Sequence, residues 1–254
     1  MTGATAHRPS TILQTRDASV VGQSLAWIGL GALLTAGIAP VAQAQVSASA
    51  TLATDYRLRG VSLTDRRAAL SADLTFDTPS GVYAGGSVLA EDNANLGARL
   101  VGHSEFLGVA GRGPSGLGWD LGLSNLDMSL VEGRHFKIAY QQVYFGLSQK
   151  DMSARLSLAP DYPRRGISTA YLDLNGVVHP SQAWRITGHL GIQTRLGPWD
   201  GRAGRRERYD VRLGLIRGLP RGELNLAVTS VVHRPQPQTA NSGTAITAGA
   251  TLFF

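Results

Sequence analysis

The feature that most limits what this chain can fold into is an alternation of period two that recurs along almost everything after residue 45. Val46, Ala48, Ala50 and Leu52 alternate with Ser47, Ser49, Thr51, Ala53 and Asp55. Ala68, Leu70, Ala72, Leu74 and Phe76 alternate with Arg67, Ala69, Ser71, Asp73 and Thr75. The same pattern runs through 152–158, 184–192, 208–215 and 246–254. Successive side chains of a strand point to opposite faces, so each segment has one apolar and one polar side. Glycine is frequent inside these runs, 31 of 254 residues in all, which disfavours helices.

Six further segments read as strands: about 81–90, 99–111, 117–126, 135–148, 167–177 and 222–232. That makes twelve. Between them, short Gly/Pro-rich turns such as Thr78-Pro79-Ser80-Gly81 and Gly218-Leu219-Pro220-Arg221-Gly222 interleave with longer polar connections at 57–66, 91–98, 127–134, 161–166, 194–206 and 233–243. This is the layout of a transmembrane antiparallel up-and-down β-barrel, an all-β fold with short periplasmic turns and long outer loops. Segments of ~10 residues fit tilted strands that cross a bilayer. Hydrocarbon leaves no water to satisfy an open sheet edge, so such a sheet must close. A soluble sandwich also alternates; the loop pattern and the chain end favour the barrel.

The amino-terminal region fits that destination. No charge lies between Asp17 and Asp55, and Leu25–Ala39 is apolar but for glycine and one threonine. His7, Arg8 and Arg16 precede this run, and Ala42-Gln43-Ala44 follow it. A basic front, a short apolar middle and a small-x-small end describe a secretory signal peptide, too short for a transmembrane helix. The expected organisation is a signal peptide over 1–44, cleaved between Ala44 and Gln45, and a barrel over 45–254 in the outer membrane of a Gram-negative bacterium. Cysteine is absent, which excludes thiol chemistry, disulfides and Cys-based zinc sites. The formal charge is +6 and every basic residue except Lys137 and Lys150 is arginine. These arginines are scattered through apolar segments, not clustered with aromatics on one face, so nucleic acid is not an expected partner. The chain ends Ile246-x-Ala248-x-Ala250-x-Leu252-x-Phe254, and a terminal aromatic of this kind is what the barrel-assembly machinery reads.

The block Asp55-Tyr56-Arg57-Leu58-Arg59-Gly60-Val61-Ser62, followed by Pro79-Ser80-Gly81-Val82-Tyr83-Ala84-Gly85, resembles the opening of the TorF-type porin family, proteobacterial outer-membrane proteins of poorly defined function. The resemblance covers about 50–90. It implies a barrel, an outer-membrane location and a pore, and supplies no substrate or site.

In phase with Ser47, Ser49 and Thr51, the residues Asp55, Arg57 and Arg59 are expected to point into the barrel near its outer mouth, with Tyr56 turned to the membrane interface. Two readings stay open. The arginines line an anion-favouring constriction, or they brace the wall in an internal salt-bridge network. Further pore-lining candidates on the polar phase are Arg67, Asp73, Arg155, Arg185, His189, Arg208, Asp210 and Arg212, with Asp120, Asp173 and Glu223 in less certain phase. Charge on the lipid face would cost ~2–4 kcal/mol at midplane for Arg or Lys, so inward charge supports the barrel before it supports selectivity. Arg164, Arg165, Arg195, Arg202, Arg205 and Arg206 fall in or beside long loops that would face lipopolysaccharide phosphates. Gly102-His103-Ser104-Glu105-Phe106 lacks the final glycine of a nucleophile elbow; His103 is expected in the lumen or the girdle. Glu91-Asp92-Asn93-Ala94-Asn95 lacks calcium-loop spacing. No cofactor, metal or enzymatic step is expected. The expected function is passive diffusion of small hydrophilic solutes, with anions favoured by the arginine excess. The rival is a non-conducting barrel that modifies lipid or serves as a surface scaffold.

Overall fold

Alternation resolves into strands along nearly all of the described chain. A computed structural model describes residues 45–93, 97–132, 134–162, 166–197, 207–232 and 243–254. The strands are β1 (Gln45–Ala53), β2 (Arg57–Leu58), β3 (Val61–Ser62), β4 (Ala69–Asp77), β5 (Val82–Asn93), β6 (Gly97–Arg112), β7 (Gly118–Glu132), β8 (Arg134–Gln149), β9 (Met152–Ala159), β10 (Ser168–Val178), β11 (Trp184–Leu196), β12 (Glu207–Leu219), β13 (Gly222–Val231) and β14 (Ala245–Phe253). Twelve of them form one closed antiparallel barrel, and β2 and β3 form a separate two-stranded sheet. The expected signal peptide, with Ala44, lies outside the described residues.

Closure is made by β1, which pairs β4 on one edge and β14 on the other. The β1–β14 register runs from Ser49 opposite Phe253 to Ala53 opposite Gly249. The Phe254 amide then donates to the Ala48 carbonyl at 2.9 Å, so the last residue is tied into the seam. The connections expected at 91–98 and 127–134 are largely absorbed into longer strands, because β5–β8 keep pairing out to Asn93 opposite Gly97 and Glu132 opposite Arg134.

Outside, the barrel is apolar: Leu52, Leu74, Leu107, Leu123, Leu213 and Leu226 all stand exposed. Trp119 and Trp184 lie at the short-turn end, and the Arg217 guanidinium sits 5.5 Å from the Trp184 ring. Aromatic rings at that height match an interfacial girdle. Inside, the side chains are polar toward the short turns and change character toward the other end. There Leu89, Val101, Leu126, Met128 and Ile138 are buried in one cluster with Tyr140 and Tyr162. Val101 joins them through a bulge, since Leu89 pairs Gly102 while Ala90 pairs Leu100. A bulge re-aims side chains in this way.

An apolar exterior makes a clear demand. Leu213→Arg should lower unfolding stability by ~2–4 kcal/mol if this residue meets hydrocarbon. Urea titration of the refolded protein in lipid vesicles measures it, and an effect no larger than that of Arg at an inward site contradicts the lipid-facing assignment.

Candidate functional site

The apolar cluster inside the barrel exists because the chain after β1 turns inward. Arg59 and Gly60 have φ of +49° and +77°, and Leu58 pairs Val61. Two positive-φ residues between paired strands make a type I′ turn, whose twist matches that of the flanking strands. The Leu63 amide donates to the Tyr56 carbonyl at 2.8 Å, extending the hairpin. A second turn follows, with the Arg67 amide donating to the Thr64 carbonyl at 2.9 Å and Asp65 and Arg66 both at positive φ. Leu58 and Leu63 belong to the apolar cluster. Burying them inside the cylinder is what keeps the segment from lying out in solvent.

The hairpin spans the lumen to the opposite wall. At its root, Arg57 Nε donates to Asp55 Oδ2 at 2.6 Å, and Ser62 Oγ donates to Asp55 Oδ1. Arg57 Nη1 donates to the carbonyls of Gly60 and Gly243, both at 2.9 Å, which ties the hairpin to the start of β14. At the tip, Arg59 is only 4% exposed. Its Nη2 donates to Gln142 Oε1 on β8 at 2.8 Å. The guanidinium carbon stands 4.1, 4.9 and 5.5 Å from the rings of Tyr171, Tyr162 and Tyr140. A desolvated cation over an aromatic face is worth ~2 kcal/mol, so three rings compensate a good part of the cost of burying this charge. Gly60 lies so close to the wall that a Cβ there would run into Val231 and Asp210.

Below the tip is a polar network. His189 Nε2 stands 2.9 Å from Asp210 Oδ1, and its Nδ1 stands 3.1 Å from Asp173 Oδ1. Tyr171 donates to both oxygens of Asp210 at 3.3 Å. Asp210, almost fully buried, thus joins the wall to the face that the hairpin tip packs against. On the other side of the lumen, Arg155 Nη2 donates to Asp120 Oδ2 at 2.9 Å, and Tyr83 donates to the same oxygen at 3.0 Å. The Tyr83 and Tyr144 rings fill the space left by the missing side chains of Gly108 and Gly122.

What stays open is a cavity of about 370 Å³ against β1, β4 and β12–β14. It runs from Gln45, Asp77 and Phe254 at the short-turn mouth to Asp55, Tyr56 and Arg57 at the hairpin root. Its wall carries the hydroxyls of Ser47, Ser49, Thr51, Ser71, Thr247 and Thr251, among others. Four carboxyl groups (Asp55, Asp73, Asp77, Glu223) and two guanidinium groups (Arg57, Arg212) line it. Local charge here leans acidic, opposite in sign to the whole-chain excess of arginine.

The residues singled out in the sequence therefore fall into separate places. Asp55, Arg57 and Arg59 lie inside, but in the hairpin rather than on an extension of β1. Tyr56 does not reach the membrane interface: it lines the cavity and packs against the apolar cluster. Asp73 accepts from Ser49 Oγ at 3.2 Å. Arg67 stands 3.4 Å from Glu91 and 3.3 Å from Asp65. Arg185 pairs with Glu223, and Arg208 donates to Gln193 at 2.9 Å. His103 faces outward, because it pairs Val88 and Asp127 on the exposed phase of the sheet. Arg164, Arg165, Arg202, Arg205 and Arg206 lie outside the described residues. Reasoning from sequence missed the tyrosine cage and Gln142. Their signal was available: Tyr140, Gln142 and Tyr144 share the phase opposite to exposed Val143 and Phe145.

A closed barrel, greasy outside, with a polar and partly plugged lumen defines the class of transmembrane β-barrel proteins. The chain belongs to a family described as bacterial protein of unknown function (Gcw_chp), whose model matches residues 38–228. No curated protein matches it in sequence. Among solved structures it is similar to the NanC porin, with a TM-score of 0.50 at 7% identity, covering 83% of this chain and 99% of that one. It also aligns with the outer membrane channel DcaP of Acinetobacter baumannii, with a TM-score of 0.43 at 12% identity, covering 86% of this chain and 100% of that one.

The hairpin geometry is testable at its tip. Gly60→Val places a β-branched residue at positive φ, worth ~1–3 kcal/mol of strain, and drives a side chain into Val231 and Asp210. Amide exchange over 57–62 should accelerate while β10–β13 stay protected. Unchanged exchange would show that the tip is not seated against that wall.

Proposed function

We propose that this protein is an outer-membrane diffusion channel for small hydrophilic solutes, whose lumen is narrowed by the 57–62 hairpin. The observation that carries the reading is the off-centre cavity, hydroxyl-lined and entered at the short-turn mouth, which ends at Asp55, Tyr56 and Arg57. Hydroxyls exchange hydrogen bonds with water and neutral polyols at little net cost, so the wall suits uncharged polar solutes. The excess of carboxyl groups over guanidinium groups along it makes cations, not anions, the better-tolerated ions. The likeness of 50–90 to TorF-type proteins agrees with a pore. In this reading the amino-terminal segment directs export and Phe254 serves assembly.

A second reading follows from the same hairpin: a barrel whose outer half is packed this fully is a scaffold that does not conduct. Planar-bilayer recording separates the two. The wild type should give small conductance steps with a reversal potential that is neutral or leans to cations. Gly60→Val should raise the step size or opening frequency, and Asp77→Asn should reduce cation preference. Silence from the wild type and from Gly60→Val alike rejects the channel.

A further inference from the structure

Pairing leaves two opposite charges over in the cavity. Of the groups that line it, Asp55 is bonded to Arg57 at 2.6 Å and Glu223 is paired with Arg185. Asp77, at the mouth, has an interaction of its own. Asp73 and Arg212 remain. Asp73 accepts from the Ser49 hydroxyl at 3.2 Å and has no cationic partner among the described residues. Arg212 makes neither a hydrogen bond nor an ion pair among the described residues. Neither group is sealed off, since both are half-buried and both line the open space.

A charge beside a low-dielectric wall is costly when nothing compensates it, and here each sign is left uncompensated once. An unpaired guanidinium keeps a planar fork of donors that fits a carboxylate. Asp73, with the Ser49 oxygen beside it, offers acceptors to an ammonium. The two charges stand on well-separated strands, Asp73 on β4 and Arg212 on β12, with β1, β14 and β13 between them. Four strand spacings of ~4.8 Å separate them along the wall. A ligand that serves both must therefore carry its charges apart. The termini of a short peptide are apart, at ~3.3–3.6 Å per residue, whereas those of a free amino acid sit on adjacent atoms. Between the two charges the wall presents Thr51, Thr247, Thr251 and Asn225, which both donate and accept, as peptide N–H and C=O groups require. A volume of about 370 Å³ lies within the range of small-ligand pockets.

We propose that this cavity binds short zwitterionic peptides in transit, with the carboxylate on Arg212 and the ammonium on Asp73. The proposal names a solute class for the channel and rests on that reading. Net neutrality is what the lining selects. A simple anion that reached Arg212 would also meet the field of Asp73 and Asp77, and a simple cation at Asp73 would gain nothing from Arg212.

Triglycine, its C-terminal amide, its N-acetyl form and free glycine are added in turn to the refolded full chain in planar bilayers. Triglycine should interrupt the current at several-fold lower concentration than the other three. Arg212→Gln should weaken the triglycine block several-fold and abolish the preference over the amide, while Arg212→Lys keeps part of that preference. Asp73→Asn should abolish the preference over the acetylated form. Heat-modifiable gel migration shows that each variant is folded. A wild type that conducts but is blocked equally by all four solutes, or by none, overturns the peptide site and leaves the channel standing. So do folded Arg212→Gln and Asp73→Asn proteins that discriminate as the wild type does. A wild type that passes no current rejects the channel, and calorimetric titration of the same four solutes into the protein in micelles then decides the site: triglycine binding lost in both variants supports it, and no preference for triglycine overturns it.

Discussion

The structure depends on one constraint: in hydrocarbon a peptide N–H or C=O must find its partner in the chain itself. Twelve strands meet it only because β1 bonds β14 as well as β4, so no edge is left. That closure assigns every side chain to one of two environments. Over most of the wall apolar residues take the outside, and charged residues go inside. The lumen networks Arg155–Asp120, Arg185–Glu223 and Asp173–His189–Asp210 are then a consequence of topology. Charge confined to a cylinder of low dielectric is stabilised by pairing, and the strands bring carboxylates opposite guanidiniums or imidazole.

A barrel of this size raises a second problem. Eight strands leave an interior that side chains fill, while sixteen or more leave an open channel; twelve lies between. Near the short turns the space is partly occupied by Tyr83, Tyr144 and Phe106, whose room comes from Gly108, Gly122 and Gly85. Toward the other end it is filled by backbone, the hairpin of β2 and β3. Filling a lumen with a hairpin requires apolar wall residues to pack against it. Leu126, Met128 and Ile138 supply that surface.

Much of this was legible in the sequence, because the barrel is a local rule applied twelve times. The phase of Ser47, Ser49 and Thr51 gives the cavity wall directly, and Tyr209, Val211, Leu213 and Leu215 against Arg208, Asp210 and Arg212 give the two faces of β12. The hairpin was not legible, for a physical reason. Asp55, Arg57 and Arg59 continue the alternation of β1 without a break, and nothing in period-two patterning distinguishes a strand that goes on from one that turns inward. The discriminating features are Arg59-Gly60, which tolerates a I′ turn, and Leu58 and Leu63, apolar residues in a segment otherwise read as a loop. Total charge is a poor guide to the lining of the cavity for a related reason. The arginine excess is a property of the whole chain, whereas the cavity is lined by Asp73, Asp77 and Glu223 against Arg212, with Asp55 and Arg57 at the hairpin root.

The inward hairpin and the polar patch on the outer wall have a common origin. Along β7 the outward phase changes from Trp119, Leu121 and Leu123 to Asn125 and Asp127, while the inward phase changes from Asp120, Gly122 and Ser124 to Leu126 and Met128. The strand keeps alternating but exchanges its faces. Toward the lumen the exchange gives the hairpin a core to pack on. On the outside the same strand segment would present amides and carboxylates to lipid, at a cost that grows with depth. Strands β6–β8 therefore carry the apolar core of the lumen on one face and a polar row on the other, through a single reversal of polarity.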